Sequence, residues 1–571
     1  MTTIDARAGG ATAGAAAVAR ETNRNLPFAT ILNVGSSAAN KTGSWRTERP
    51  IYVNLLPPCN KACPAGENIQ QWLYHAEEGN YEAAWREIMV NNPLPAVMGR
   101  VCYHECQTAC NRTQVDEAVG INAIERFLGD KALEEGWSVT PLGPASGKTV
   151  LVVGAGPSGI SAAYHLARLG HSVTVRDDGE KPGGMMRYGI PSYRLPRGIL
   201  DQEIGRIAAM GVRFEMNTKV TDLEAALAEF DAVFLAVGAQ IGRHTNIPAG
   251  AASHVLDAVS MLREVEEGRG SATSAAPAEQ PLLGRRVVVY GGGNTAIDAA
   301  RTAKRLGAKD SVIVYRRTRD RMPAHDSEVT EAQEEGIKIR WLSTIKHIDD
   351  GELMIEKMEL DENGFPQPTG EFEKLEADSV VMALGQQADL GLLEGVADVE
   401  VDRGVVKVDA QMQTGRAGLF AGGDMVPSEK NVTVAIGHGK KAARYIDGYL
   451  RAQTYVPSTK HGDATLDRME TWYYSEAPHQ VRDKIEGARR ASTFAEVVQG
   501  LDETSALFEA RRCMSCGNCF GCDNCFGVCP DNAITKIEPG KYEFKYDYCK
   551  GCGVCAAECP CGAIEMIPEE I

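Results

Sequence analysis

The chain has 571 residues, with 60 Lys and Arg against 77 Asp and Glu and a net charge of −17 at pH 7. That surplus of negative charge repels phosphate backbones and argues against a nucleic-acid partner. No stretch of about 18 apolar residues occurs, so no membrane span is expected, and the length predicts about three to five domains.

Residues 1–48 open on an Ala/Gly/Thr-rich stretch, Met1 to Arg24, without the charged-then-apolar pattern of an export signal. They are read as an arm, and the protein as cytoplasmic. Residues 49–140 follow as a helical domain, with apolar residues at helical spacing over 68–78, 81–91 and 117–135. Five of the 16 cysteines lie here, from Cys59 to Cys110, and the other eleven lie between Cys513 and Cys561. Such clustering in a large chain of a reducing compartment points to metal rather than to a disulfide framework. The runs Cys59-Asn-Lys-Ala-Cys63-Pro64 and Cys102-Tyr-His-Glu-Cys106-Gln-Thr-Ala-Cys110 suit an iron–sulfur site, with zinc as the alternative.

Beyond a short loop at 141–147, strands and helices alternate, which predicts parallel α/β sheets. Two dinucleotide fingerprints stand in strand–turn–helix context. In the first, Gly154, Gly156 and Gly159 form the turn and Pro157 and Ser158 open the helix. In the second, Gly291, Gly293 and Ala296 do so, with Asn294 and Thr295. Glycine permits the tight turn and the backbone approach to a pyrophosphate, which rests on the helix N-terminus. The next strand of the first unit ends at Asp177, beside Asp178, where an acidic residue is placed to bind ribose hydroxyls. In the second unit the corresponding strand ends at Arg316 and Arg317, forks suited to a 2′-phosphate. That favours NADP and leaves NAD open. A Gly/Ser/Ala/Pro-rich stretch at 268–281 separates the units. The predicted domains are 141–280 and 391–455 for the first nucleotide, 281–390 for the second, a helical connector at 456–512, and a cysteine-rich domain at 513–571.

In that last domain Cys549, Cys552, Cys555, Cys559 and Pro560 make the bacterial C-x2-C-x2-C-x3-C-P pattern. Only one register of the preceding cysteines repeats it: Cys519, Cys522, Cys525, Cys529 and Pro530. The fourth cysteine of each run ligates the other cluster. Cys519, Cys522, Cys525 and Cys559 are therefore expected to hold one [4Fe-4S] cluster, and Cys549, Cys552, Cys555 and Cys529 the second. Cys513, Cys516 and Cys561 are left over as buried or free thiols.

The two fingerprints, Lys181-Pro-Gly-Gly-Met-Met-Arg-Tyr-Gly-Ile-Pro-Ser-Tyr-Arg-Leu-Pro196, Tyr315-Arg-Arg-Thr-Arg-Asp-Arg-Met-Pro-Ala324 and Gly422-Gly-Asp424 together resemble the small-subunit family of glutamate synthase over roughly residues 50–455. The resemblance implies FAD in the first unit and NAD(P)H in the second. It places Gly183 and Gly184 close to FAD, Arg187 and Arg194 near the flavin and its phosphates, and Gly423 and Asp424 on the ribityl chain. Val432 and Thr433 open a helix, 431–446, whose dipole faces the flavin. Gly238 and Gly385 end the returning strands, and His438 is assigned to packing. The family holds two N-terminal clusters, but Ile51 and Asn54 stand where it has cysteines. By its pattern those lost ligands belong with Cys59 and Cys110. One N-terminal cluster is therefore expected, on Cys63, Cys102, Cys106 and Glu125, and a chain ending near residue 455 should hold about four irons.

The expected architecture is α/β: two Rossmann-like domains, a helical iron–sulfur domain and an α+β ferredoxin-like domain. The expected function is an electron-transfer subunit that exchanges hydride between NAD(P)H and FAD and relays single electrons through [4Fe-4S] clusters. Its expected partners are other subunits of a redox complex, a 2-oxoacid oxidoreductase among the candidates. The alternatives are a glutamate synthase small subunit and, from another class, a non-catalytic scaffold.

Overall fold

The computed structural model describes residues 41–139, 143–243, 247–248, 254–268, 283–349, 351–457, 461–538 and 540–569. The arm at 1–40 and nearly all of the 268–281 stretch lie outside the described residues. Each fingerprint opens from a five-stranded parallel sheet. In the first sheet the order is Leu419–Ala421, Ala232–Leu235, Thr149–Val153, Ser172–Arg176 and Arg213–Glu215. Its central strands are apolar on both faces, with Val150, Leu151, Val152 and Ala232 through Leu235 fully buried. That is the pattern of a parallel sheet covered by helices on each side.

The second sheet runs Lys338–Arg340, Asp310–Val314, Arg286–Tyr290, Ser379–Met382 and His254–Asp257, again all parallel. Its edge strand corrects the domain limit at 280. His254–Asp257 pairs with Ser379–Met382, and Ala258, Met261 and Leu262 share a core with Ile297 and Ala300. The second unit thus begins by residue 254, and the 268–281 stretch connects two of its elements. The strand escapes notice because it is only four residues long and half exposed, without a buried apolar run. A three-stranded antiparallel sheet, Ser343–Asp349, Glu352–Leu360 and Pro366–Glu376, is inserted in this unit.

The predicted N-terminal helices appear as Ile69–Glu77, Tyr81–Ile88 and Ile121–Glu134. Trp72, Leu73, Trp85, Ile88, Ile124 and Leu128 are buried from them. The 456–512 stretch is mostly not helical. Among its described residues only Gly487–Arg490 and Glu503–Ala510 are α-helices. The remainder spends its backbone groups on other domains: Val497 N–H donates to Tyr193 O (2.9 Å) and Arg126 Nη1 to Val498 O (2.7 Å). Pro457 and Pro478 interrupt any helical ladder there.

The two ends of the chain meet. Glu48–Tyr52 pairs antiparallel with Ile564–Pro568, from Glu48↔Pro568 to Tyr52↔Ile564. Arg46 clasps Glu569 through two bonds of 2.7 and 2.8 Å, and the Tyr52 ring stacks on Phe544 at 4.6 Å. Residues 48–52 thus carry the start of the chain's helical domain onto the C-terminal domain. Among the described residues no helix is long and apolar enough to cross a membrane.

Buried charge joins the two nucleotide units. Arg194, from the first, pairs with Asp298 (2.8 Å) and Glu328 of the second. Beside it Arg301 and Arg305 share Glu335 at 2.8 and 2.7 Å, all three side chains inaccessible to solvent. Removing one partner of such a group strands the others without compensation. Glu335→Ala is expected to cost about 3–5 kcal/mol of stability, measured by denaturant unfolding of the intact chain.

Candidate functional site

The first glycine turn is built by close approach. Gly154 sits at φ +107°, where an added Cβ would lie 2.4 Å from Ala236 O, and a Cβ on Gly159 would lie 1.9 Å from Gly154 O. Asp177, at the end of Ser172–Arg176, accepts the amides of Ala155 and Gly179, each at 2.7 Å. Burial raises its carboxyl pKa, and those two amides oppose the rise. Gly154, Asp177 and Asp178 line one cleft of ≈ 320 Å³. Gly183 N–H donates to Ala155 O (2.8 Å), and a Cβ on Gly184, at φ +51°, would lie 2.7 Å from Gly156 Cα. The 183–184 turn is thereby laid against the first fingerprint. Gly238, at φ +70°, follows the strand Ala232–Leu235.

Gly423 closes on the same turn: at φ +74°, its Cβ would come 3.1 Å from Ser158 Cβ. Its N–H donates to His438 Nδ1 (3.2 Å), so that imidazole is an acceptor within the packing. Burial lowers the His438 pKa. Burial also pushes the Asp424 carboxyl up to about 6. The two arginines expected near the flavin and its phosphates have partners within the chain. Arg187 Nε donates to Pro182 O (2.7 Å) and its Nη2 binds Asp201, while Arg194 serves the interdomain cluster. Both guanidinium groups are matched to carboxylates of this chain.

The second cleft, ≈ 500 Å³, is lined by Gly291, Gly293, Thr295, Arg316, Arg317 and Gly385. Asn294 is turned aside, with Oδ1 accepting His325 N–H (2.9 Å), and Ala296 is fully buried behind the turn. Among the described residues neither Arg316 nor Arg317 takes part in an ion pair, and the buried Arg317 Nε has no partner. An unspent guanidinium at the end of the second strand suits an added phosphate.

Cys63 ends the helix Pro58–Ala62, Cys102 follows Pro95–Val101, and Cys106 lies in Glu105–Thr108. Glu125 is 6 % exposed on Ile121–Glu134, and Asn92 Nδ2 donates to it (2.8 Å) and to Glu67 (3.0 Å). Burial, with Glu67 beside it, holds the Glu125 carboxyl well above the usual range. Glu125 is therefore on the buried side of its helix, not on an outer face. The helix that opens at the flavin side, Val432–Leu450, is capped by Asn431 and sets Thr433 Oγ1 on Cys102 Sγ at 3.3 Å. Lys440 of the same helix donates to Ala65 O, to Gly66 O (3.2 Å) and to Asn91 Oδ1 (3.1 Å). The sequence reading overlooks Glu67 and Lys440. The available signal for Lys440 was a lysine seven positions after Thr433, on the helix's buried face.

In the C-terminal domain Cys525, Cys555, Cys559 and Cys561 share a core with Ile534, Phe544 and Ile564. Cys529, Cys549, Cys552 and Cys555 line one small hollow. Backbone amides point at the sulfurs, Ala533 N–H to Cys529 Sγ and Ala563 N–H to Cys559 Sγ, both at 3.3 Å. Of the leftover thiols, Cys513 packs on the same core as Cys59 and Cys110.

Residues 148–439 match the pyridine nucleotide-disulphide oxidoreductase model, 46–137 that of dihydropyrimidine dehydrogenase domain II with its 4Fe-4S cluster, and 518–563 that of the 4Fe-4S dicluster domain. The NADP(+)-dependent formate dehydrogenase subunit beta of Moorella thermoacetica is 35% identical over 84% of this chain and 73% of its own length. The NADPH-Fe(3+) oxidoreductase subunit beta of Geobacter sulfurreducens is 32% identical over 80% and 75%. The NAD-dependent dihydropyrimidine dehydrogenase subunit PreT of Escherichia coli is 33% identical over 69% and 91%. FAD, NAD(P) and [4Fe-4S] clusters are the cofactors that these matches and the clefts have in common. With one model spanning both nucleotide units and 4Fe-4S models at either end, the chain belongs to the pyridine nucleotide-disulphide oxidoreductases, as a glutamate synthase small-subunit-like flavoprotein with two iron–sulfur domains.

Proposed function

We propose that this chain is the nucleotide-handling subunit of a cytoplasmic redox complex, passing electrons between NADP(H) and a partner enzyme of low potential. The observation that carries the reading is the Thr433 hydroxyl on Cys102 Sγ, since it puts the start of the flavin-side helix in contact with an iron–sulfur ligand position. When bound, FAD exchanges a two-electron hydride with nicotinamide and single electrons with iron–sulfur centres. The residues of the chain supply the positions. Gly154, Gly156, Gly159, Gly183 and Gly184 admit the FAD pyrophosphate, Asp177 stands at its ribose, and Gly423 and Asp424 close over the ribityl chain. Gly291 and Gly293 admit the second dinucleotide, with Arg316 and Arg317 for the 2′-phosphate. Cys63, Cys102, Cys106 and Glu125 serve the N-terminal cluster, and the two predicted groups of four serve the C-terminal pair. All 16 cysteines are free, as a reducing compartment keeps them.

The formate and ferric-iron chemistry printed for two relatives supports a partner that withdraws electrons from, or delivers them to, a simple inorganic or one-carbon substrate. Neither name refers to a 2-oxoacid.

The purified chain is expected to reduce a viologen dye with NADPH. Absence of that activity in a preparation with full flavin and iron would overturn the reading. Replacing Arg316 and Arg317 by Ala removes charge-assisted bonds worth about 1.5–3 kcal/mol, so kcat/KM for NADPH should fall roughly 10- to 100-fold while that for NADH changes little. Thr433→Val removes a hydrogen bond that favours the more negative, reduced cluster. Redox titration followed by EPR should then show a lower midpoint potential for one centre, with the others unmoved.

A further inference from the structure

Five cysteines fall outside the groups assigned so far. Cys561 is buried in the C-terminal core; the others are Cys59 and Cys110 from the helical domain, and Cys513 and Cys516 from the other end of the chain. The segments that carry them are fastened together. Leu55 N–H donates to Gly517 O (3.0 Å) and Asn518 Nδ2 to Leu55 O (3.1 Å). Gln70 Nε2 donates to Ser515 Oγ (3.3 Å), and Arg112 Nη1 to Arg512 O (3.0 Å). Gly517 leaves no room for a side chain, since a Cβ there would lie 2.4 Å from Leu55 Cβ. Cys59, Cys110 and Cys513 pack on one core with Ile69, Trp72 and Ala510.

The 513–516 loop has the backbone of a cluster-binding loop. Ser515 is held at φ +48° and its N–H points at Cys513 Sγ at 3.4 Å. The same device, a left-handed residue two positions after the cysteine with its amide on the sulfur, recurs at Cys102 with His104, Cys519 with Gly521 and Cys549 with Gly551. In those loops the cysteine is an iron–sulfur ligand by its motif. Outside glycine that conformation is uncommon, so Ser515 holds it against its own preference. Two buried cations belong to the same segments: Arg112, two residues after Cys110, and Arg512, next to Cys513, at 4 % and 2 % exposure. Among the described residues no three His, Cys, Asp or Glu side chains converge on one metal ion.

We infer that Cys59, Cys110, Cys513 and Cys516 together hold a further [4Fe-4S] cluster, ligated from both ends of the chain. It takes the place of the cluster expected to be lost with the cysteines at Ile51 and Asn54, and adds a second to the one expected in this region. Its ligands Cys59 and Cys110 lie four residues from Cys63 and Cys106, and Cys516 lies three from Cys519. The site therefore adjoins the N-terminal cluster on one side and the first ferredoxin group on the other. The inference rests on the redox reading given above, and its test separates the two.

The full-length chain, purified anaerobically, is expected to hold about sixteen irons with one flavin. The variant C513S/C516S, and separately C59S on the opposing segment, should each hold about twelve, keep the flavin, and lose one reduced-cluster EPR signal. About twelve irons in all three proteins would overturn the inference and leave the redox reading standing, because flavin and the other clusters remain. So would one zinc per chain that the substitutions remove. A full-length chain without flavin or iron would overturn both.

Discussion

Backbone pairing between Glu48–Tyr52 and Ile564–Pro568 joins residues near the two ends of the chain, and the placement of the redox groups depends on it. Loop-closure entropy grows only with the logarithm of loop length, about 0.6 kcal/mol per doubling, so a contact across some five hundred residues of folded domains is not prohibitive. It is reinforced locally. Arg46 binds Glu569 through both nitrogens, and Tyr52 stacks on Phe544 while its hydroxyl meets Cys525 Sγ at 3.4 Å. The C-terminal domain is thus docked on the helical domain rather than suspended from a tether.

A second constraint acts at the flavin side. The helix Val432–Leu450 crosses Pro157–Arg168 so closely that a Cβ on Gly439 would lie 2.2 Å from Ser158 O, and one on Gly437 would lie 2.2 Å from Pro64 O. Lys440 fixes the same helix to Ala65, Gly66 and Asn91. One rigid element therefore sets the distance between the first fingerprint and the Cys63 loop. Interiors packed to this density transmit position without slack, which is what electron transfer between fixed centres requires of a scaffold.

What was legible in the sequence was local. The glycine turns and the two C-x2-C-x2-C-x3-C-P runs are written in short spacings; the turns reappear as close backbone approaches, and the runs fall in a 4Fe-4S dicluster domain. What stayed hidden depended on partners far along the chain. Arg194 stands in a motif run that gives no hint of Asp298 and Glu328, the carboxylates it pairs with. His254–Asp257 reads as a loop because it is short and half exposed, yet it completes a sheet. The 456–512 stretch reads as helical from its polar spacing, but its backbone bonds go to other domains. Cys513 and Cys516 were set aside because neither fits the register of the next four, and only the fold brings them to Cys59 and Cys110.

The exchange of ligands at that site has a structural cause. Ile51 lies within the strand that pairs with Ile564–Pro568, opposite Glu565, and Val53 N–H donates to Ala563 O (3.0 Å). A segment committed to the ferredoxin sheet cannot also wrap a cluster in the helical domain. The sheet that takes those positions away also delivers the 513–517 loop, held by Leu55 one residue beyond Asn54. Metal sites assembled from distant segments couple binding to folding. A cluster spanning both ends would stabilise the docked arrangement that creates it, so the C-terminal domain and its redox neighbours assemble as one unit.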